Sequence, residues 1–456
     1  MRAGVTAPAV TVTRNLFGTD GVRGVAGEFI TAELATSLAA AATRRARDDA
    51  AQGARPQVLV IRDTRQSGEM LEAAIAAGVA AAGGDALLAG VLPTPAAPLL
   101  IGRYGFDLGV VLSASHNPFA DNGIKFFGAD GDKLSDDGER EIERALADPP
   151  APDRDVGHVR PLHGTLDDYL RELHTRFAAL DLSGLDVALD CANGAAHRAA
   201  PEIFRRLGAD VTTIGVTPDG RNINDGVGST HIEALRAVVK DGGHDVGFAY
   251  DGDADRVLAV DRAGEVVDGD ELIALTAKHL RAAGRLPGNG VAVTVMTNYG
   301  FHTAMAEAGI DVAVTSVGDR YVLEVLRDRG WALGGEQSGH IIELGFAPSG
   351  DGVASSLLAL EALAGRDLAE RDGMRKLPQR LVNVRVAQSA RDLLDAQSVE
   401  DAIEHESEVL EGRGRVLVRP SGTESLVRVM VEAPTDEEAS DACDRIVGAV
   451  RSAARD

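Results

Sequence analysis

One arrangement recurs three times along this chain and constrains its fold more than any other feature. The segments VLVIRDTRQSGEMLEAAIAAGVAAAGGDALLAG from Val58, VALDCANGAAHRAAPEIFRRLGADVTTIG from Val187 and VAVTVMTNYGFHTAMAEAGIDVAVTSVG from Val291 all carry it. Each opens on a short Val-rich run and passes through a polar loop into a helix-length amphipathic stretch. Each then closes on a Gly-containing turn and a second apolar run. That is the pattern of a β–loop–α–β unit, and three copies predict three similar mixed α/β domains. The last segment differs. After Pro378 come LVNVRVA, a helix-like stretch from Ala390 to Leu410, RVLVRPSGTESLVRVMVEA and a closing helix from Asp436, which predict a small α+β domain. A chain of 456 residues exceeds what one core supports. The expected fold class is therefore α/β with four domains, three similar mixed α/β domains plus a smaller C-terminal α+β domain. Expected bounds are 15–165, 166–270, 271–378 and 379–456, after a disordered extension over 1–14. The Pro- and Asp-rich DPPAPDRD (148–155) reads as a linker or surface loop.

Composition excludes several classes of function. A formal charge of −24 disfavours nucleic acid and anionic membranes as partners. No run approaches the roughly 18 apolar residues of a membrane span, and the opening MRAGVTAPAVTVTR lacks the apolar core of a secretory signal. Two distant cysteines, Cys191 and Cys443, argue against a disulfide framework and fit a reducing cytoplasm, the expected location. The acidity itself reads equally as a bias of the source genome or as adaptation to high salt. It also means that any anion site must concentrate its basic groups locally.

Four motifs carry candidate chemistry. In DLGVVLSASHNPFADNGIKFF, from Asp107, GVVLSA reads as a buried strand that breaks at Asn117–Pro118. Ser115 and His116 are thereby presented at a strand end, where α/β proteins place reactive groups. A serine hydroxyl needs a base or a cation to act as a nucleophile, and a capping serine explains the same residues. Lys125, one of few lysines, lies in the apolar setting GIKFF and needs an anionic partner. In DVGFAYDGDADRVLAVDRAGEVV, from Asp245, a strand leads through DGDADR into a hairpin around Asp261–Gly264. Asp251, Asp253 and Asp255 would repel one another unless a cation sits between them, and oxygen ligands alone favour Mg²⁺. A calcium loop is excluded because Arg256 stands at its sixth position and Arg262 at its twelfth. A solvated acidic turn is the competing explanation. The carboxylates leave the shell of Mg²⁺ incomplete, a phosphorylated Ser115 would add an oxygen, and Arg256 could pair with either group.

In WALGGEQSGHIIE, from Trp331, Glu336 and Ser338 can bond vicinal hydroxyls and His340 can titrate near neutrality, although a structural loop explains these residues too. In RVLVRPSGTESLVRVMVEA, two alternating strands flank a turn carrying Arg419, Ser421, Gly422 and Thr423. Guanidinium, hydroxyls and free amides there make a nest for a phosphate dianion, which Arg428 on the returning strand can reach. The Gly-rich LFGTDGVRGVAG, from Leu16, offers a similar turn with Thr19 and Arg23.

Taken together, SASHNP, DGDADR, GGEQSGH and RPSGTE occur in the order and at the spacing that resemble the α-D-phosphohexomutases, over nearly the whole chain from Leu16. The resemblance implies a heart-shaped protein with one motif per domain around a central cleft, a phosphorylated Ser115 and a Mg²⁺ cofactor. It further implies a phosphosugar substrate that becomes a bisphosphate intermediate, reorients, and returns its other phosphate to Ser115. Arg419, Ser421, Gly422 and Thr423 would grip the phosphate that is not reacting, while Glu336 and Ser338 hold hydroxyls. His116, Lys125 and His340 are then candidates for proton transfer or charge stabilisation. Within the family, LFGTDGVRG, DNGIKFF, VGDRYV (317–322) and GGEQSGHII are most similar to bacterial members acting on glucosamine phosphates, which implies a place ahead of UDP-N-acetylglucosamine and cell-wall synthesis. Gln337 stands where glucose- and mannose-phosphate mutases often carry Met. A mutase of those sugars, a metal-dependent phosphatase using Ser115, and a non-catalytic sugar-phosphate binder are the alternatives. Whether the chain is a monomer or a homodimer is left open by its sequence.

Overall fold

In the Val-rich run Gln57–Arg62 every interior residue is buried, as a strand covered on both faces requires. The computed structural model, which describes residues 16–18, 20–49, 55–147, 155–386, 390–420 and 426–454, places this strand inside a six-stranded sheet. The order is Val22–Val25, Asp121–Gly128, Leu108–Leu112, Gln57–Arg62, Asp85–Val91, Val159–Pro161. Leu108–Leu112 runs parallel to Gln57–Arg62, and Asp121–Gly128 returns antiparallel beside it. Helices Ala32–Asp49 and Ser67–Ala81 supply Leu38, Leu71, Ile75 and Val79 to a core shared with Val58, Val60 and Val110.

The same plan recurs twice. A five-stranded sheet has the order Val266–Val267, Val257–Asp261, Val246–Tyr250, Asp186–Asp190, Asp210–Ile214. A four-stranded sheet has the order Asp311–Thr315, Gly290–Thr294, Leu333–Gly335, Ile341–Glu343. In each sheet a parallel strand exits at its carboxyl end into a loop and comes back antiparallel. The three exit loops are 113–120, 251–256 and 336–340, and they hold SASHNP, DGDADR and EQSGH. Three of the four motifs thus occupy one topological position, outside the carboxyl ends of strands where ligands bind in α/β sheets.

By internal packing the chain divides into two units, one comprising residues up to Val295 with Ala313–Arg371, the other Met296–Val312 with the chain from Asp372 onward. The second unit contains an antiparallel sheet ordered Gln379–Arg385, Leu426–Glu432, Arg415–Pro420, packed on helices Gln397–Val409 and Asp436–Ala453. The stretch expected as one helix from Ala390 to Leu410 is two, Ala390–Leu394 and Gln397–Val409, because Ala396 adopts an extended backbone. Helix Tyr299–Glu307 of the third repeat groups with this unit through the buried Glu432, which accepts from the Tyr299 amide, Asn298 and Arg415. Cys191 and Cys443 are both buried free thiols. Among the described residues no helix is long and apolar enough to cross a membrane. The extension over 1–14 lies outside the described residues, as does all of DPPAPDRD except Asp155.

Candidate functional site

Ser115 leaves the strand Leu108–Leu112 in the left-handed backbone region, at φ 52°. For a residue with a Cβ that conformation costs about 1–2 kcal/mol, so the surroundings must enforce it. Its amide donates to Ser113 Oγ at 2.9 Å, and Ser113 Oγ donates to Asp63 at 2.7 Å. Its carbonyl accepts from Arg65 and from Asn224, each at 2.9 Å. So held, the Ser115 hydroxyl lies 2.5 Å from Asp251 Oδ2 and 3.2 Å from His116 Nδ1.

The metal loop reaches Ser115 through Gly252, where a Cβ would lie 2.5 Å from the Ser115 carbonyl oxygen. Asp251, Asp253 and Asp255 are all buried and bring one oxygen each within 4.8 Å of one another. Thr94 Oγ1 donates to Asp253 at 2.7 Å and Lys125 Nζ at 2.9 Å, and Lys125 lies 3.8 Å from Asp255. Asp253 Oδ1 and Asp255 Oδ1 are buried and receive no hydrogen bond among the described residues. Burial, followed by the charges of Asp255 and Asp253, pushes the Asp251 carboxyl well above the usual carboxylate range. At Asp255 burial is outweighed by His340 and Lys125, which hold its carboxyl well below that range. Three converging carboxylates with orphaned oxygens, one driven toward protonation, fit a bound metal ion that would let all three ionise.

Basic groups surround the cluster. Arg256 NH1 donates to His116 Nδ1 at 3.2 Å, and the Arg256 amide donates to Asp251 at the same distance. Burial, then the positive charges of Arg256 and Arg23, lowers the His116 pKa to about 4, so the ring is neutral at pH 7. Arg23 is itself paired with Asp20, which also binds Lys125 at 3.2 Å and Lys133. Lys133 bonds Asp319 at 2.6 Å, and His340 lies 3.7 Å from Asp319 and 3.6 Å from Asp255. Asp255, Lys125, Asp20, Lys133, Asp319 and His340 therefore close a ring in which carboxylates alternate with two lysines and an imidazole. Burial opposes a charged His340, yet Asp255, Asp319 and Glu336 lift its pKa above the ordinary value. The Gly350 amide works the other way: it donates to His340 Nε2 at 3.1 Å and needs a lone pair there.

Glu336 accepts from the Gly318 amide at 2.9 Å and from Ser338 Oγ at 3.3 Å, and both side chains keep solvent access. Gly339 has φ 89° and lies so close to the Val257 carbonyl that no Cβ fits, which seats this loop against the metal-loop hairpin. In the C-terminal unit, Arg419 and Arg428 are directly opposite on paired strands. Like charges so placed repel, the Arg428 Nε is buried without a hydrogen bond, and neither guanidinium has an ion-pair partner among the described residues. An anion would satisfy both. Thr19, Ser421, Gly422 and Thr423 lie outside the described residues.

The structure thus brings together Ser115, His116, Lys125, Arg256, His340, Glu336, Ser338, Arg23 and the three aspartates. Sequence reasoning missed Asp20, Asp63, Arg65, Thr94, Lys133, Asn224 and Asp319. Lys133 shared only half of the signal of Lys125, being another of the few lysines but in the polar setting GDKLSDD. Asp63 and Arg65 sit in the exit loop of a strand, the position that marked the other motifs.

Comparison with known proteins matches every part of this arrangement to one family. Residues 14–151, 167–264 and 268–381 match alpha/beta/alpha domains I, II and III of phosphoglucomutase/phosphomannomutase, and residues 381–449 match its C-terminal domain. The chain is 51% identical over 451 residues to a phosphoglucosamine mutase of Frankia alni, covering 96% of this chain and 98% of that one. A solved phosphoglucomutase/phosphomannomutase family protein from Burkholderia thailandensis superposes with TM-score 0.81 at 24% identity, over 97% of this chain and 98% of that chain. The N-acetylphosphoglucosamine mutase of Aspergillus fumigatus, solved with GlcNAc-6P and magnesium, shares the fold with TM-score 0.65 at 19% identity, over 96% of each chain.

Proposed function

The chain belongs to the phosphoglucomutase/phosphomannomutase family, and from that premise we propose that it interconverts glucosamine 6-phosphate and glucosamine 1-phosphate through a phosphoserine at position 115. The observation that carries this is the Ser115 hydroxyl directed into a buried, cation-demanding carboxylate cluster. The name shared by its relatives at about half identity supports the amino sugar as substrate.

Asp251, Asp253 and Asp255, with an oxygen of the phosphorylated Ser115, would hold Mg²⁺, whose chemistry here is to neutralise charge on phosphoryl oxygens. Arg256 adds a second positive group beside the hydroxyl, where phosphoryl charge develops. Of the three candidate proton carriers, only His116 reaches Ser115; Lys125 and His340 reach carboxylates. We therefore assign His116 to the hydroxyl, and Lys125 and His340 to the charge balance of the cluster. Glu336 and Ser338 hold sugar hydroxyls, and Thr19 and Arg23 contribute to substrate binding. Arg419, Ser421, Gly422, Thr423 and Arg428 bind the phosphate that is not reacting. Such a substrate donates or accepts at Ser115 in either of two orientations, which distinguishes a mutase from a phosphatase.

Turnover of glucosamine, N-acetylglucosamine, glucose and mannose phosphates, compared under matched activation, tests the assignment. Glucosamine phosphate is expected to give the highest kcat/KM. A preference for glucose 1-phosphate by more than about tenfold, roughly 1.4 kcal/mol in transition-state binding, would overturn the substrate.

A further inference from the structure

Arg65 is fully buried, 0% exposed, in a loop that no motif claims. A guanidinium carries five N–H donors in a fixed fork, and here every one is used. Nε donates to Asp63 Oδ2 at 2.8 Å, NH1 to the carbonyls of Pro118 and of Asp121 (3.0 Å), and NH2 to those of Ser115 (2.9 Å) and Asn117 (2.8 Å). Four carbonyls of the 115–121 loop thus converge on one buried cation. Asp63 fixes that cation twice over, since its other oxygen accepts the Arg65 amide at 2.9 Å. Asp63 also accepts from Ser113 Oγ, which in turn accepts the Ser115 amide. From the metal-loop domain, the side-chain amide of Asn224 donates to the carbonyls of Ser115 (2.9 Å) and Asn117 (3.1 Å).

We infer that Arg65, anchored by Asp63 and assisted by Asn224, is the positioning device that holds Ser115 in its left-handed conformation and so aims its hydroxyl for phosphoryl transfer. The inference rests on Ser115 as the phosphoryl carrier. Arg65 touches neither the hydroxyl nor solvent, so it acts only through the Ser115 backbone. Released from the clamp, Ser115 relaxes toward negative φ, the loop carbonyls seek other donors, and the hydroxyl swings away from Asp251 and His116. A displacement near 1 Å at a reacting atom costs on the order of 100-fold in rate. Lys cannot replace Arg, because one ammonium with three donors cannot span four carbonyls and a carboxylate.

The test compares Arg65→Ala, Arg65→Lys and Asn224→Ala with Arg176→Ala, which removes an ion-paired arginine bound to Glu343 and Glu361 away from this loop. With the full chain and Mg²⁺, kcat and KM for glucosamine 6-phosphate are read well below each variant's Tm. Arg65→Ala is expected to lose about 100-fold or more in kcat with KM within about threefold. Arg65→Lys should recover little, and Asn224→Ala should lose about tenfold. Millimolar guanidinium, but not methylammonium, should partly restore Arg65→Ala, whereas Arg176→Ala should lower Tm and leave kcat alone. The proposal is overturned if Arg65→Lys or Asn224→Ala turns over within about twofold of the parent chain, or if Arg65→Ala loses only stability as Arg176→Ala does. Should both Arg65 variants fail to fold, Asn224→Ala decides. If the parent chain shows no isomerisation, the mutase reading fails, not the clamp. Phosphorylation of Ser115 by a hexose bisphosphate, followed as intact mass, then decides: unimpaired uptake by folded Asn224→Ala overturns the clamp, and slowed uptake supports it.

Discussion

Loops 113–120 and 251–256 leave equivalent strands of two repeats, yet they treat negative charge in opposite ways. In the first, three carbonyl oxygens converge, with that of Asp121 just beyond, and the chain supplies its own cation, the Arg65 guanidinium, with all five donors used. In the second, three carboxylates converge: Lys125 and Thr94 satisfy one oxygen of Asp253, while Asp253 Oδ1 and Asp255 Oδ1 receive no hydrogen bond among the described residues. The first loop is complete as folded. The second fits a bound metal ion. On the proposed function, one topology yields the phosphoryl carrier from one repeat and the ion-binding site from the next. The hairpin pair Arg419 and Arg428 reverses the sign again, placing two cations opposite one another on paired strands.

The sharpest break in this comparison is Asp251→Asn. In Mg²⁺ its turnover should fall by about 1,000-fold or more, because several kcal/mol of phosphoryl charge stabilisation go with the metal. In chelator the same variant should be more stable than the parent chain at pH 8. A carboxyl whose folded pKa lies far above its unfolded value costs stability that grows as pH rises past the unfolded value. Thermal midpoints with and without Mg²⁺ check both signs; the Mg²⁺-dependent rise of the parent chain should shrink in the variant.

At the opposite sign, Arg428→Ala should lower kcat/KM by about 10- to 100-fold, mostly through KM, matching one or two charge-assisted hydrogen bonds to phosphate. Steady-state kinetics with competing inorganic phosphate check this. Unchanged KM would remove Arg428 from the site.

The smallest effect comes from a buried carboxyl that no metal serves. Asp351 caps helix Gly352–Leu363, accepts from Tyr169 at 3.0 Å, and has its pKa raised by burial to about 7. Between pH 4 and 7 the folded chain holds a proton here that the unfolded chain has lost, so this group's contribution to stability falls as pH rises through that window. Asp351→Asn, which keeps the cap, should raise Tm by a few degrees at pH 8 and by clearly less at pH 5. The gain over the parent chain should be the same with and without Mg²⁺, unlike that of Asp251→Asn.

What could be read in the sequence follows from how local each signal is. The repeats were legible because period-2 and period-3.6 patterning reports each strand and helix directly. Asp251, Asp253 and Asp255 were legible because five consecutive residues bring them together. Arg65 was not, since its partners lie 50 or more residues away and its only local sign is an Asp two residues earlier. The Lys133–Asp319 contact in that ring spans 186 residues and joins two repeats, which no window along the chain contains. The break at Ala396 was also hidden, because Asp395 and Ala396 carry no helix-stopping Gly or Pro.

The most direct measurement starts from enzyme carrying radiolabelled phosphate on Ser115, mixed in Mg²⁺ with unlabelled glucosamine 6-phosphate. The account predicts that label leaves the protein and appears in glucosamine bisphosphate and the monophosphates at the rate of turnover, with Ser115→Ala taking up none. Label released chiefly as inorganic phosphate, or turnover without labelling of Ser115, would contradict it.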